Sequence, residues 1–466
     1  MRKKQFIFVW FAIFIASCTT QPQKADTVNF TGADDEVIIM TLDPGHFHAA
    51  LVQKISYKQV DPVVYVYAPE GPDAQDHLKR IEGFNIRANN PTNWNTKLYT
   101  GDDFLEKMIA EKPGNVMVTS GNNKKKTEYI SKAINAGIHV LADKPMVIDA
   151  GDFELLKETF ISAEEKGILL YDIMTERYSI TSILQKELSK ITDVFGELLV
   201  GSPENPSITK ESVHHFFKYV AGNKIKRPPW FFDVTQQGEG LVDITTHLVD
   251  LIQWECFPEV ILDYQKDIEV LAAKRWPTEL TPSQFESVTR LTEYPEYLKK
   301  DIVNDSVLNI YCNGEIIYKL RGIHAKVCVI WNYRAPEGGG DTHFSIMRGT
   351  KANLVIRQGE EQNYTPELYV EPVKEVDDRE FKQKLALAVE KLQEKYPGIE
   401  LLKLEGKWQI IIPGEYRIGH EAHFGQVTQT FLQYLVDGKM PDWEVPNMIA
   451  KYYTTTKALE IAKKDD

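Results

Sequence analysis

The segment Val37-Ile38-Ile39-Met40-Thr41-Leu42, followed by Asp43-Pro44-Gly45-His46-Phe47-His48, decides the fold. A continuous apolar run closed by Asp-Pro-Gly is what a parallel strand buried on both faces requires. The pattern then repeats. A helix is predicted through Ala49, Ala50, Leu51 and Ile55, and a second strand over Pro62 to Ala68 (PVVYVYA). Helix Phe104 to Glu111, strand Val116 to Thr119, helix Lys126 to Ala136 and strand His139 to Ala142 follow. Gly137 stands where a helix C-terminal glycine belongs. Helix Phe153 to Lys166 closes at Gly167 and leads to one more strand, Ile168 to Tyr171. Repeated β-α units of this length predict a doubly wound parallel sheet, which holds ligands at the carboxyl ends of its strands.

Beyond about Thr175 the character changes from α/β to α+β. Val307 to Tyr311, Ile316 to Leu320 and Val327 to Trp331 read as strands with glycine-containing connections, in an open, mainly antiparallel sheet. Phe381, Leu385, Val389 and Leu392 are spaced for one face of a helix over Asp378 to Tyr396. Gln426 to Leu435 and Asn447 to Ala462 are helical again. With 466 residues, two domains are expected: residues 36–175, and residues 176–466 with the last helices packing back on the first.

Bulk composition narrows the function. Hydrophobic content of 43% and charged content of 26% exclude a disordered chain and a membrane bundle. The net charge of −13 argues against nucleic acid as a partner, since phosphate binding needs a basic face. Arg2, Lys3 and Lys4, an apolar run from Phe6 to Ile15, and Ile15-Ala16-Ser17-Cys18 form an export signal. Its end is similar to a bacterial lipobox, in which Cys18 is lipidated; an ordinary signal with an incidental Cys18 is the alternative. Residues 1–18 are therefore expected to be a signal peptide and residues 19–35 a polar tether, on a periplasm-facing, membrane-anchored lipoprotein. The remaining Cys256, Cys312 and Cys328 form neither a disulfide framework nor a zinc pattern, and read as free thiols.

Three segments carry chemistry. A dinucleotide-binding turn needs glycines so that backbone amides can approach a pyrophosphate. In Asp43 to His48 only Gly45 survives, with Asp43 and His48 at the outer glycine positions; Gly45, His46, Phe47 and His48 are the candidate cofactor contacts. Glu70, just past the second strand, is the candidate for the ribose hydroxyls. Next, Ala142-Asp143-Lys144-Pro145 places a lysine in extended backbone at a strand's carboxyl end, its ammonium toward the crevice. Finally, in Gly238-Glu239-Gly240-Leu241-Val242-Asp243-Ile244-Thr245-Thr246-His247 the segment reads as a helix start. Asp243 and His247 are then one turn apart on one face, a carboxylate able to orient an imidazole. A capping Asp and a packed His are the alternative.

The glycine turn, Asp-Lys-Pro, Glu176-Arg177-Tyr178 and Gly-x-Gly-x-x-Asp-x-x-x-His together resemble the Gfo/Idh/MocA family, named for glucose–fructose oxidoreductase and inositol dehydrogenase. The resemblance covers Glu36 to about Ala462. It implies a Rossmann domain, an open-sheet second domain that often mediates homo-oligomerisation, and NAD or NADP as a tightly held cofactor. It also implies that Lys144 contacts substrate hydroxyl and nicotinamide, that Asp243 binds substrate, and that His247 is the catalytic base. Asp143 stands for the usual glutamate, and Ser120-Gly121-Asn122-Asn123 for the loop near the nicotinamide, so Ser120, Asn122 and Asp143 join the cofactor candidates. Arg177, Tyr178, Trp230, His420 and His423 are the substrate candidates: an indole suits a sugar face, and the two histidines suit a pocket lining. No metal set is legible, because His420 and His423 lack a third ligand.

The leading expectation is an NAD(P)-dependent oxidoreductase acting on a ring hydroxyl of a sugar, glycoside or polyol. Two alternatives stand beside it. One is a self-recycling NAD-dependent glycosidase or lyase working through a keto-sugar; the other is a glycan-binding lipoprotein without catalysis.

Overall fold

The computed structural model describes residues 29–220, 223–374 and 376–464. Six strands, β1 (Ile39–Leu42), β2 (Val63–Ala68), β3 (Asn95–Thr100), β4 (Val116–Thr119), β5 (His139–Asp143) and β6 (Leu170–Ile173), form one sheet in the order β3-β2-β1-β4-β5-β6. Every pairing in it is parallel. The order reverses between β1 and β4, so the switch point lies at the carboxyl ends of these two strands. Residues of β1, β4, β5 and β6 are buried throughout, as the apolar runs require.

The connecting helices are α1 (His48–Leu51), α2 (Pro72–Ile86), α3 (Phe104–Glu111), α4 (Lys126–Asn135) and α5 (Phe153–Lys166). Helix α1 is one turn long, shorter than the periodicity through Ile55 predicts. The Gln53 amide still bonds the Ala50 carbonyl, but the Gln53 carbonyl accepts from the Trp94 indole at 2.6 Å, and the helix does not continue. Helix α2 and strand β3 are additions to the expected pattern. Only Ala74, His77 and Ile81 of α2 are buried, and β3 is a polar edge strand, so neither has a strong apolar period.

The second domain is built on a sheet with successive neighbours Ile268–Leu280, Val307–Leu320, Ile323–Arg334, Ile208–Phe217, Thr342–Arg348, Ala352–Gln358, Glu367–Pro372, Lys407–Ile411 and Glu400–Leu404. The one parallel pair along this path, among the described residues, is Ile208–Phe217 with Ile323–Arg334. The two strands expected around Asn313-Gly314 are a single strand. The Asn313 side chain donates to the Trp276 carbonyl on one neighbour and accepts from the Trp331 amide on the other, which holds the segment extended instead of turning it. Cys256, Cys312 and Cys328 are free thiols.

The last two helices, His420–Asp437 and Glu444–Lys464, return to the first domain. Phe424, Val427, Phe431, Leu432, Leu435, Met448 and Tyr452 join the same apolar core as β1, β4 and β5. A buried ionic network strengthens this seam. Arg177 forks onto Asp250 with two 2.7 Å bonds and reaches Glu444 at 2.9 Å. Lys451 lies 2.6 Å from Asp172 and 2.9 Å from Asp250.

Residues 29–35, expected to be tether, fold onto the first domain. Phe30 is buried edge-on to His139, and the Glu36 carboxylate accepts the Thr31, Gly32 and Ala33 amides. The remaining tether and the signal ending in Cys18 lie outside the described residues. Among the described residues no helix is long and apolar enough to cross a membrane.

Candidate active site

Lys144 leaves the carboxyl end of β5 beside Asp143, and the Lys144–Pro145 peptide is cis. Its Nζ lies 2.6 Å from Asp243 Oδ1, with each side chain 7% exposed. Asp243 sits in the turn that precedes helix Thr245–Cys256, not on the helix face that the spacing predicts. Gly240 fixes that turn: a Cβ there would fall 2.2 Å from the Cys312 carbonyl oxygen, so the chain can pass strand Val307–Leu320 only as glycine. Asp243 therefore pairs with Lys144 and does not orient His247.

His247 is in the first turn of the helix, 8% exposed, with Nδ1 buried and without a hydrogen-bond partner among the described residues. Burial, with the Lys144 charge and His420 nearby, holds its pKa well below the usual imidazole range. The ring is thus a neutral base close to the ammonium.

The turn after β1 has a different chemistry from a glycine-rich loop. Three of its amides are already used: Gly45 N donates to the Asp43 carbonyl (2.9 Å), His46 N to the Ser120 carbonyl (3.1 Å) and His48 N to His46 Nδ1 (3.4 Å). Gly121 permits the loops after β1 and β4 to touch, since a Cβ there would lie 2.0 Å from the Asp43 oxygen. His48 Nδ1 approaches Asp143 Oδ2 at 2.9 Å, and the Ser120 hydroxyl donates to the same oxygen at 2.8 Å. Burial opposes the Asp143 charge, but His48, Lys126 and His46 together hold its pKa well below the carboxylate range. Lys126, fully buried, donates to the Asp143 carbonyl at 3.0 Å and is pushed down to about 8 by burial. Asp43 takes left-handed backbone at φ 49°, and burial with Asp73 close by pushes its carboxyl up to about 7.

A cavity runs from this turn along the start of α2, at the carboxyl ends of β1 and β2. Gly45, His46 and Phe47 form one wall, and the rest of the lining is of mixed charge, with Arg80, Lys226 and Arg227 beside Asp73 and Asp76. That is where a doubly wound sheet receives a dinucleotide. Side-chain cations stand here in place of amides as the groups that could meet phosphates; Lys226 also pairs with Asp76 at 3.3 Å, and Arg227 donates to the Phe216 and His215 carbonyls.

Several candidates take other places. Trp230 does not present a free face to a sugar: it is 9% exposed, packs on Gly45 and donates to Asp73 at 2.8 Å, joining the domains. Arg177 is not a substrate contact, because Asp250 and Glu444 engage its guanidinium in the buried seam. Tyr178 is tied to Thr430 at 2.7 Å. Glu70 is exposed on the turn before α2 and does not line the cavity. Asn122 donates to Gln236 at 2.6 Å, and Asn123 to the Gln237 carbonyl at 2.6 Å, so this loop is fastened to the second domain. His420 faces the crevice with its ring 5.6 Å from that of His48, whereas His423 is buried with Nδ1 unpartnered.

Two clusters are additions to the sequence reading. Asp341 lies 3.0 Å from His215, 3.5 Å from His214 and 2.8 Å from Lys218. The carboxylate comes from a distant glycine-rich loop, and no local pattern announces it. His46, His48 and Asp143 form the second: ligand atoms of all three lie within 4.8 Å of one another. His-x-His after a strand was its one visible trace.

Comparisons with known proteins agree with the fold. The family described as "Oxidoreductase family, NAD-binding Rossmann fold" matches residues 41–171, and "Putative oxidoreductase C terminal domain" matches residues 184–463. A crystal structure of a "putative oxidoreductase" from Parabacteroides merdae is 62% identical, with a TM-score of 0.92 over 94% of this chain and 100% of that one. Levoglucosan dehydrogenase in complex with NADH shares the fold at 12% identity and a TM-score of 0.59, over 92% of this chain and 98% of that one. A 3-ketoreductase from Actinomadura kijaniata, in complex with NADP and TDP-benzene, does so at 14% and 0.55, over 92% and 97%. Among curated proteins none matches.

Proposed function

The chain belongs to the Gfo/Idh/MocA family of NAD-binding oxidoreductases, and on that premise we propose that it oxidises a ring hydroxyl of a sugar, glycoside or polyol. The observation that carries this reading is the 2.6 Å contact between Lys144 of the first domain and Asp243 of the second, beside neutral His247. The sugar dehydrogenase and 3-ketoreductase named above, which share the fold, support the substrate class.

A nicotinamide held in the crevice supplies the hydride acceptor. The chain's own residues do the rest. Asp243 holds the Lys144 ammonium at the crevice floor, where it donates to the reacting oxygen and stabilises the charge that develops there. His247 takes the hydroxyl proton; a ring already protonated at neutral pH could not, and its depressed pKa keeps it ready. As the carbon–hydrogen bond gives up its hydride and the oxygen its proton, a keto-sugar forms, and the reverse reaction uses the same groups.

The reading extends to a retained cofactor, because residues 225–231 of the second domain cover the cavity beside Gly45. It also extends to an exported, lipid-anchored protein through Cys18 and to homo-oligomers through the second-domain sheet; both rest on sequence features and family resemblance. The test is single-turnover mixing of the full chain with NAD or NADP and a panel of glycosides and polyols, following nicotinamide absorbance and product mass. Reduction by at least one sugar-class substrate is expected, falling about 10²–10⁴-fold in His247→Ala. Absence of transfer in both directions, with keto-sugars and reduced cofactor included, would rule the reading out.

A further inference from the structure

We propose that His46, His48 and Asp143 form a binding site for one divalent transition-metal ion at the switch point of the first sheet. The three ligand atoms lie within 4.8 Å of one another, two imidazoles from the turn after β1 and one carboxylate from the end of β5. His48 Nδ1 and Asp143 Oδ2 are 2.9 Å apart, and His46 Nδ1 and the same oxygen 3.9 Å. Metal–ligand bonds of about 2.0–2.2 Å put neighbouring ligand atoms about 3–3.5 Å apart. The first pair is already close to that spacing, and the second reaches it by a rotation of the His46 ring that gives up the 3.4 Å bond Nδ1 accepts from the His48 amide.

The surroundings agree with a metal site. Both histidines follow the β1 turn and Asp143 ends β5, so the ligands rest on the stiff core of the sheet. The Ser120 hydroxyl donates to Asp143, the kind of outer contact that fixes a ligating carboxylate. His420 stands at the rim, its ring 5.6 Å from that of His48, and the opening is lined by Gly121, Asn123, Lys144 and Gln237. Mixed nitrogen and oxygen donors suit zinc, cobalt, nickel or ferrous ions and not magnesium or calcium, which take oxygen. Lys144 does not compete for the carboxylate, because its ammonium is held by Asp243.

This site replaces what the turn has lost. Where a glycine loop offers amides to an anion, this turn has engaged those of Gly45, His46 and His48 and gathers metal-ligating side chains. The inference stands on these residues alone and does not depend on the proposed reaction.

The test is Co²⁺ titration of the full chain, tag-free and dialysed against chelator, followed by visible absorption and calorimetry. One saturable equivalent with the absorption bands of a nitrogen–oxygen site is expected. Because His48 is buried, His46, whose side chain is 17% exposed, carries the decisive variant: His46→Gln, shown to be folded by circular dichroism, should bind at least fivefold more weakly. His343→Ala, in the second domain, should bind as the parent does. Lack of saturable Co²⁺ binding, or a loss below fivefold in His46→Gln, overturns the proposal. Both readouts concern metal alone, so they remain decisive whether or not nicotinamide chemistry is found.

Discussion

Lys144 and Asp243 come from different domains and meet at 2.6 Å with both side chains almost wholly buried. The pair positions the ammonium for chemistry and is also part of the seam between domains. Removing one partner leaves a buried charge uncompensated, which costs about 3–5 kcal/mol. Lys144→Met is therefore expected to lower the urea midpoint substantially, and Lys144→Met/Asp243→Leu to recover part of the loss. A single variant as stable as the parent would show that the pair contributes nothing.

Asp43 offers a prediction in the opposite direction. Burial and Asp73 push its carboxyl up to about 7 from an ordinary 3.8. As pH rises from about 4 to 7 the unfolded chain releases this proton while the folded chain keeps it, so stability is lost across that window. Asp43→Asn abolishes the penalty, and asparagine tolerates the left-handed backbone at φ 49°. The variant should gain in Tm relative to the parent as pH increases to 7, with a constant advantage above. Calorimetry at four pH values checks this.

His77 tests the acid side. Burial lowers its pKa to about 3, and both ring nitrogens are buried without partners. Below pH 6.5 the unfolded chain takes up a proton that the folded chain refuses, so stability falls by about 1.4 kcal/mol per pH unit for this group. His77→Leu should flatten the stability–pH curve between about 6 and 3.5 by about one proton. Denaturant melts across that range read the slope directly.

The Arg177 network predicts a structural effect from a position that its sequence motif points to as a substrate contact. Arg177→Leu strands Glu444 in the core, leaves Asp250 with Lys451 alone, and should cost about 3–5 kcal/mol. If Arg177 bound substrate instead, Arg177→Leu would raise KM and leave the melting curve unchanged.

Much of the first domain was legible because its strands are buried on both faces. Val116–Thr119 and helices Phe104–Glu111 and Phe153–Lys166 have the bounds that apolar runs and capping signals predict. Helix α2 and strand β3 were not legible, since both are largely solvated. Within the site, Lys144 and Asp243 meet at 2.6 Å, close enough to His247 for the Lys144 charge to act on its ring. The partner of Asp243 was not legible, because helical periodicity pairs it with His247 and only the folded turn at Gly240 sends it to Lys144. Trp230 and Arg177 had the right chemistry for a ligand, but each is engaged by a carboxylate remote in sequence, Asp73 and Asp250 respectively.

The central claim is that the two domains enclose one dinucleotide, its phosphates beside Arg80, Lys226 and Arg227 and its nicotinamide beside Lys144. The most direct measurement is calorimetric titration of the full chain with NADH and NADPH, after denaturation and mass spectrometry of a parallel sample to detect any dinucleotide already carried. One equivalent of dinucleotide, carried or bound, is expected, with about tenfold weaker binding in Arg80→Ala. A folded chain that carries none and binds neither would contradict it.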